Sequence, residues 1–428
     1  MTAPASERDI LAHAGASPIS IEHHPRIEPG PALLRHTTHA HDLRAHRLRH
    51  GEPPELDLAS LHAMAGAAAV QGRGGAGFPF ARKLRTAAEH ARRGRRPIVV
   101  VNASEGEPAS AKDAALAEVA PHLVLDGAAV AARALGAREV HVVLPGDRPR
   151  ASGLLATAVG ERTDARLTWR VHDAPARFVA GQARAVLELM AGRPGLPVTA
   201  WAPEAVSGHR GRPTLLSNAE TWAHIGLLAL EGIRPTLERG TRDEPGTTLL
   251  TLHAAGTPVT VVEVEHGTPL APLLPALAWD APVLIGGFHG TWTTSAALAG
   301  AHLSRAELRE RGVGLGAGVI IAPGPDACPL GLTAAIVEHL AAESAGRCGP
   351  CVNGLPALAR AVRGVVHGVV GAREEAARLS GLVTGRGACA HPDGTARLVA
   401  SALTALAGEV AAHADGGCGA GAAQEVAS

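Results

Sequence analysis

The chain has 428 residues, enough for two to four domains, and its 40 Lys+Arg are matched by 40 Asp+Glu. That neutrality provides no globally basic surface for nucleic acid. Apolar residues make up 46% and aromatic residues 2%, with no tyrosine, so the core must be built from Ala, Leu and Val. Glu7, Arg8 and Asp9 stand where a secretory signal needs an apolar run. The longest uncharged run, 281–304, contains Pro282, glycines, histidines and threonines and is a poor membrane span. A cytoplasmic protein that does not itself span a membrane is therefore expected. Five cysteines, three of them at 348, 351 and 389, suit metal or cluster chemistry in a reducing compartment.

Residues 1–56 are polar and weakly patterned, and read as a flexible extension. They include His13, His23, His24, His36, His39, His41, His46 and His50, whose spacing repeats no ligand pattern and reads as a solvated tail. Asp57 is a fair N-cap for a helix through Leu58, Leu61 and Met64. A glycine-rich loop ends that helix. A β-branched strand is predicted at 98–101, a helix at 122–135 stopped by Gly136, a strand at 139–144, a helix at 150–160 and a strand at 167–171. This alternation predicts an α/β domain with a parallel sheet. Helices at 181–191 and 219–230 flank a long Pro/Gly-rich connection and complete a nucleotide-binding domain over 57–240. Short strands at 247–253, 259–265 and 282–285, with a helix at 269–278, predict a small α+β module over 241–305. After Pro329 the pattern is helical at 333–342, 355–365, 373–382 and 395–411, predicting a C-terminal bundle within 306–414. The Gly/Ala-rich end, 415–428, reads as disordered.

Gly72, Gly74, Gly75 and Gly77 remove Cβ atoms along one short loop, so backbone can approach an anion closely, with Arg73 and Lys83 adding positive charge. The loop is neither a Walker A sequence nor a Rossmann fingerprint. A Gly-rich turn that only permits tight packing is the alternative. Glu105 and Glu107 follow a strand end, where α/β sites occur and carboxylates can accept hydrogen bonds from hydroxyl or carboxamide groups; a solvated loop is the plainer reading. Cys348-Gly349-Pro350-Cys351, beside Arg347 and with Cys389 further on, suits an Fe–S or Zn site. Three cysteines are one short of four, and Cys328 and Cys418 are possible donors without a telling spacing.

These motifs occur in a fixed order: 72–79 with Phe78 and Lys83; Asn102-Ala103-Ser104-Glu105-Gly106-Glu107-Pro108 with Lys112-Asp113 and Pro121-His122-Leu123; Pro213 to Thr221 with Ser217-Asn218; and Glu343 to Cys351 followed by Cys389-Ala390. Together they resemble the flavin-carrying NADH dehydrogenase subunit (the F subunit) of bacterial respiratory complex I and its relatives in hydrogenases and formate dehydrogenases, over about 58–410. The resemblance implies an FMN-binding α/β domain, a β-grasp (soluble-ligand-binding) domain and a helical bundle holding a [4Fe-4S] cluster. It implies that Gly72, Arg73, Gly74, Gly75, Gly77 and Lys83 cradle FMN and the approaching nucleotide, and that Phe78 packs NADH. Asn102, Ser104, Glu105, Gly181, Ser217 and Asn218 would line the flavin side, with Glu107 toward the nicotinamide. Cys348, Cys351 and Cys389 would be cluster ligands.

The sequence also departs from that family. Ala345 stands at its first cluster cysteine, leaving Ser344, Cys328, water or an incomplete cluster to fill the gap. Gly181-Gln182-Ala183 replaces Gly-Glu-Glu, Ser104 replaces an aspartate, and Ala200 and Pro203 replace a lysine and a phenylalanine, with Trp201 a candidate replacement stack. The expected function is an FMN-dependent NADH or NADPH oxidoreductase subunit, working with a ferredoxin-like or other redox subunit, including a membrane-associated reductase. The alternatives are an FMN electron-transfer protein that has lost NADH use and a cofactor-poor structural subunit.

Overall fold

The computed structural model describes residues 25–35, 42–91, 95–274 and 280–419. It opens with a two-residue strand, β1 (Arg26–Ile27), and helices α1 (Leu43–His50), α2 (Leu58–Ala67) and α3 (Phe80–Ala91). Asp57 caps α2 as expected, its carboxylate accepting from Ser60 N at 2.7 Å.

The α/β unit follows: β2 (Ile98–Asn102), α4 (Lys112–Val119), α5 (Pro121–Leu135), β3 (Glu139–Leu144), α6 (Pro149–Gly160), β4 (Thr168–Asp173), α7 (Ala183–Met190), β5 (Thr214–Asn218) and α8 (Ala219–Glu231). All four strands run parallel in the order β4-β3-β2-β5. The unbroken Ile-Val-Val-Val run of β2 is buried throughout, as a central parallel strand covered by helices requires. Strand β5 lies in what reads as an irregular connection. Its Thr-Leu-Leu-Ser-Asn sequence has no alternation because it too is buried on both faces. Its position reverses the strand order: β3 and β4 extend to one side of β2, and β5 lies on the other. The chain therefore has a switch point between the carboxyl ends of β2 and β5.

After a short helix, α9 (Arg234–Leu237), come β6 (Thr247–Ala254), β7 (Thr260–Glu265), β8 (Pro282–Ile285), β9 (Thr291–Thr294), α10 (Arg305–Glu310) and β10 (Val319–Ala322). They form a second, mixed sheet ordered β1-β7-β6-β10-β8-β9. Two expectations change here. Strand β10, assigned by its position in the sequence to the helical region, lies inside this sheet, parallel to β6 and antiparallel to β8. The α+β module thus continues to about residue 322. Of the helix expected over 269–278, only a 3₁₀ turn at Ala271–Leu273 is seen, and 275–279 lie outside the described residues.

The described part of the N-terminal segment is not a loose extension. Strand β1 pairs in parallel with β7, and the N–H groups of Ala32, Leu33 and Leu34 all bind the buried Glu263 carboxylate at 2.9–3.0 Å. Helix α1 is fixed to α5 through Asp126, which is fully buried and bonds His46 at 2.8 Å, Arg47 at 2.7 Å and Arg162 at 2.7 Å. His13, His23, His24, His36, His39 and His41 lie outside the described residues.

The C-terminal region is helical: α11 (Pro329–Ala342), α12 (Leu355–Val366), α13 (Ala372–Val383), α14 (His391–Ala405) and α15 (Ala407–Ala414). The single helix expected over 395–411 is two, bent by 77° at Leu406. Leu330, Ile336, Leu358, Val362 and Leu398 form its core, which is continuous with Phe288 and Trp292 of the second sheet. Residues 415–419 are described; 420–428, expected to be disordered, lie outside the described residues. No single helix among the described residues is long and apolar enough to cross a membrane.

Candidate functional site

The predicted site residues converge on the switch point. Asn102 ends β2 and Asn218 ends β5, and the two are register partners, as are Val101 and Ser217. The Gly-rich loop lies beside them. Its base is closed by a bridge between Gln71 and Pro79 and by Gly72 N donating to Phe78 O at 2.8 Å. Arg73 N donates to the Thr221 hydroxyl at 3.0 Å, and that hydroxyl donates to Asn218 Oδ1 at 2.5 Å. A Cβ on Gly74 would lie 3.9 Å from Asn218 Cβ, and one on Gly77 3.6 Å from Arg305 Nη1. Gly75, at φ +104°, faces the Gly316 backbone of the second module, 3.8 Å from where its Cβ would be. The glycines therefore let the loop backbone lie close to β5, Arg305 and Gly316.

Beneath the loop is a buried ionic network. Arg73 turns inward rather than toward a ligand: Nη2 donates to Thr247 O at 2.9 Å and Nε lies 3.8 Å from Glu220. Burial lowers its guanidinium pKa to about 10. Glu220 also receives Leu249 N at 2.9 Å and pairs with Lys112 at 3.1 Å. Burial opposes its ionisation, but Lys112, His224 and Arg73 hold it well below the carboxylate range. Lys112 bonds Asp113 at 2.7 Å, and Asp113 in turn accepts from Asn218 Nδ2 at 3.1 Å. Burial raises Asp113 to about 6 against the pull of Lys112. This network orients Asn218 and clamps the loop to β6.

The acidic loop is likewise committed to positioning. Glu105 accepts from Ser110 Oγ and from the N–H groups of Asp113 and Ala114 at 3.2 Å, supplying the N-terminal cap that Ala111 cannot give α4. Glu107 accepts from Phe288 N at 2.9 Å, binding the loop to the second module. Asn102 Nδ2 donates to Gly181 O at 2.8 Å and Ser104 Oγ to Asn102 Oδ1 at 2.5 Å. Lys83 Nζ donates to Leu216 O at 2.9 Å and lies 3.4 Å from Glu204. Phe78 remains 42% exposed with the Arg82 guanidinium over its ring, and Trp201 is fully exposed.

Sequence reading missed Arg305. Its half-buried guanidinium lies next to Gly77, desolvation lowers its pKa, and its Nε has no hydrogen-bond partner. Nothing local marks it, because it belongs to a different module from the loop it faces. Gly316 of the second module meets the Gly-rich loop at Gly75, a contact that depends on the fold.

Two of the three predicted ligand cysteines are adjacent: Cys348 and Cys351 sulfurs are 3.5 Å apart, Cys348 just before and Cys351 within a π turn (Pro350–Gly354) that leads into α12, and Cys389 is near enough to act electrostatically on Cys351. Burial works against the Cys348 thiolate, but the N–H groups of Ala388 and Cys351 bring its pKa below the ordinary value. Burial raises Cys351, as does the neighbouring Cys348. Cys389 is raised by burial as well, and receives a hydrogen bond from the Gln182 side chain. Gln182 follows Gly181, so the strand-end site and the cysteine site share one short segment. Phe178 of the same segment donates its N–H to Glu343 at 3.2 Å and packs edge-on to His289, 4.6 Å between ring centres.

Cys328 and Cys418 are not part of this trio. Helices α11 and α12 are joined by the segment carrying Cys348 and Cys351, whereas Cys328 caps the far end of α11. There His413 Nδ1 lies 2.6 Å from Val366 O, at the last turn of α12, and its Nε2 is 3.3 Å from Cys328. At 1.5 Å per helical residue the two cysteine groups are about 20 Å apart.

Comparison with known proteins agrees with this arrangement. The Nuo51 FMN-binding domain model matches residues 66–227, and the model of the NADH-ubiquinone oxidoreductase-F iron-sulfur binding region matches 331–413. The chain is 27% identical over 366 residues to the second NADH-quinone oxidoreductase F subunit of Rhizobium meliloti, covering 80% of this chain and 86% of that protein. It is 29% identical over 374 residues to the F subunit of Mycobacterium tuberculosis, covering 81% and 83%. The chain belongs to the NADH-quinone oxidoreductase F-subunit family. A further relative is the NAD-reducing hydrogenase HoxS subunit alpha of Cupriavidus necator, 30% identical over 317 residues, 70% of this chain and 51% of that one. The fold matches an air-oxidised NAD+-reducing [NiFe]-hydrogenase with TM-score 0.79 at 22% identity, over 91% of this chain and 68% of that one.

The residues present fit the groups named for this F-subunit family. A loop backbone without Cβ atoms, two register-paired asparagines at a switch point and the Arg305 guanidinium, whose Nε has no partner, suit a phosphate-bearing aromatic ligand. Two adjacent sulfurs with a third cysteine near them suit an iron–sulfur centre.

Proposed function

We propose that this chain is the FMN-carrying subunit of a cytoplasmic NADH (or NADPH) oxidoreductase that passes electrons toward its own iron–sulfur centre and on to a separate redox subunit. Membership of the F-subunit family supports the activity. The observation that carries the site is the register pairing of Asn102 with Asn218 beside the Gly72–77 surface. FMN supplies the chemistry, taking a hydride's two electrons and giving them up singly. In this reading the glycine backbone and Arg305 hold its phosphate, Ser217 and Asn218 hold its side chain, and Asn102 with Gly181 orients its ring. Lys83, Phe78 and Trp201 face the nucleotide. Glu105 and Glu107 act by holding α4 and the second module in place, and Arg73 by tying the loop to β6. The mixed sheet with its 3₁₀ turn serves as the β-grasp module. Cys348, Cys351 and Cys389 would supply three thiolates to the cluster, with Ala345 at the family's first cluster-cysteine position, where Ser344, water or an incomplete cluster would fill the gap. The partner is a ferredoxin-like or membrane-associated redox subunit.

Anaerobic titration of reconstituted protein with NADH and with NADPH, followed optically and by EPR, tests the activity. Bleaching by either nucleotide, with an iron–sulfur signal appearing, is the expected result. Gln182, Ala183 and Ala200 remove charges the family keeps, which favours one second reading: a flavin reduced by ferredoxin and by neither nucleotide. Absence of both yellow absorbance and iron would reduce the chain to a structural subunit.

Gly75→Val tests the cradle. The φ of +104° excludes a β-branched residue without rearrangement, at a cost of about 1–3 kcal/mol. We expect flavin retention to fall at least tenfold while the bundle stays folded. A fully loaded yellow variant would contradict the assignment.

A further inference from the structure

Four metal-ligating side chains meet on the C-terminal bundle, away from the cysteine trio. Cys328, Glu409, His413 and Cys418 each present one donor atom, and the four atoms all lie within 4.8 Å of one another. Cys328 Sγ is 3.3 Å from His413 Nε2 and 3.6 Å from Glu409 Oε1; Cys418 Sγ is 3.1 Å and His413 Nε2 3.1 Å from the same oxygen. We propose that these residues form a structural Zn²⁺ site that fastens residues 415–419 to the start of α11.

The donor set suits that ion. Two thiolates, an imidazole nitrogen and a carboxylate oxygen make a closed four-coordinate shell, which Zn²⁺ accepts without redox change and hard cations do not favour. The donors come from three places in the sequence, brought together by the helices. Glu409 and His413 are one turn apart on α15, so they share a face. Cys328 is the N-cap of α11, with Gly331 N donating to its sulfur at 3.1 Å, a setting that favours thiolate. Cys418 arrives from the segment after α15.

The surroundings also prepare the site. His413 Nδ1 lies 2.6 Å from Val366 O, which fixes the ring so that Nε2 is the free lone pair facing the other three donors. Gly419 N donates to both oxygens of Glu409, at 3.2 and 3.1 Å, setting the carboxylate's orientation. Binding of a divalent ion would release the protons of both thiols.

The site is independent of the flavin and of the cluster. Metal analysis of anaerobically purified full-length protein should find about one Zn²⁺ per chain that is not accompanied by acid-labile sulfide. His413→Ala and Cys328→Ser should each lose that ion and keep their iron, whereas Cys351→Ser should lose iron and keep the zinc. If the variants fail to fold, zinc-stripped wild-type protein titrated with Co²⁺ provides the second measure. It should develop the intense visible bands of tetrahedral thiolate-bound cobalt at one equivalent, also in the Cys351→Ser background. Three results would overturn the proposal: no zinc and no such bands, zinc lost with Cys351 rather than with His413, or a Cys328–Cys418 disulfide detected by mass in protein protected from air.

Discussion

Cys351→Ser is expected to remove most of the iron while leaving the flavin site and the bundle intact. Cys351 is 3% exposed and its sulfur lies 3.5 Å from that of Cys348. With Ala345 already at the remaining family position, the variant leaves only two sulfurs, too few to retain a cluster against the open solvent side of Cys348. The flavin should stay because the surface proposed for it, at the β2–β5 end of the sheet and the Gly-rich loop, is joined to the cysteines through Gly181-Gln182. The measurement is iron and acid-labile sulfide per flavin after anaerobic reconstitution. Unchanged iron would sink the assignment, and parallel loss of flavin would show that the two sites fold as one.

The second large effect concerns stability. Asp126→Asn should destabilise the protein by about 3–5 kcal/mol, the usual consequence of breaking a buried ion pair, although Arg162 keeps Asp164 and Arg47 keeps Glu52. Arg162 is 1% exposed and Arg47 15%, and both bond this carboxylate at 2.7 Å. Burial alone would raise the Asp126 pKa, but His46, Arg47 and Arg162 hold it far below the ordinary 3.8. The sign follows from linkage: the stabilisation is present above the ordinary carboxylate value and is lost as pH falls through the lowered folded value. Denaturant unfolding at pH 7 and at pH 3 should therefore separate wild type from the variant strongly at the first and less at the second. Equal stability at pH 7 would mean that the buried charges find other partners.

The main elements were legible because their signals are local. The β-branched run at Ile98, the Asp57 cap and the Gly136 stop each act within a few residues. Strand β5 was not, because a short strand buried on both faces has no period to read. Strand β10 and β1 were missed for a related reason: four- and two-residue strands gain their order from the sheet they join. For the site, the Gly-rich loop and the asparagines could be singled out by residue type and order. Which way a side chain turns could not. Arg73 reads as a ligand contact and is a buried tie to Thr247, while Arg305, far along the chain, is the guanidinium beside Gly77. Cys328 and Cys418 read as spare cluster donors, and only the antiparallel course of α11 and α12 shows that they belong to the opposite end.

The N-terminal segment has a mechanical consequence. Strand β1 and Ala32–Leu34 are bonded to the mixed sheet through β7 and Glu263, while α1 is bonded to the parallel-sheet unit through Asp126. The described N-terminal residues are thus bonded to both units, 25–35 to the mixed sheet and 42–50 to the parallel-sheet unit, so loss of either anchor leaves the other in place.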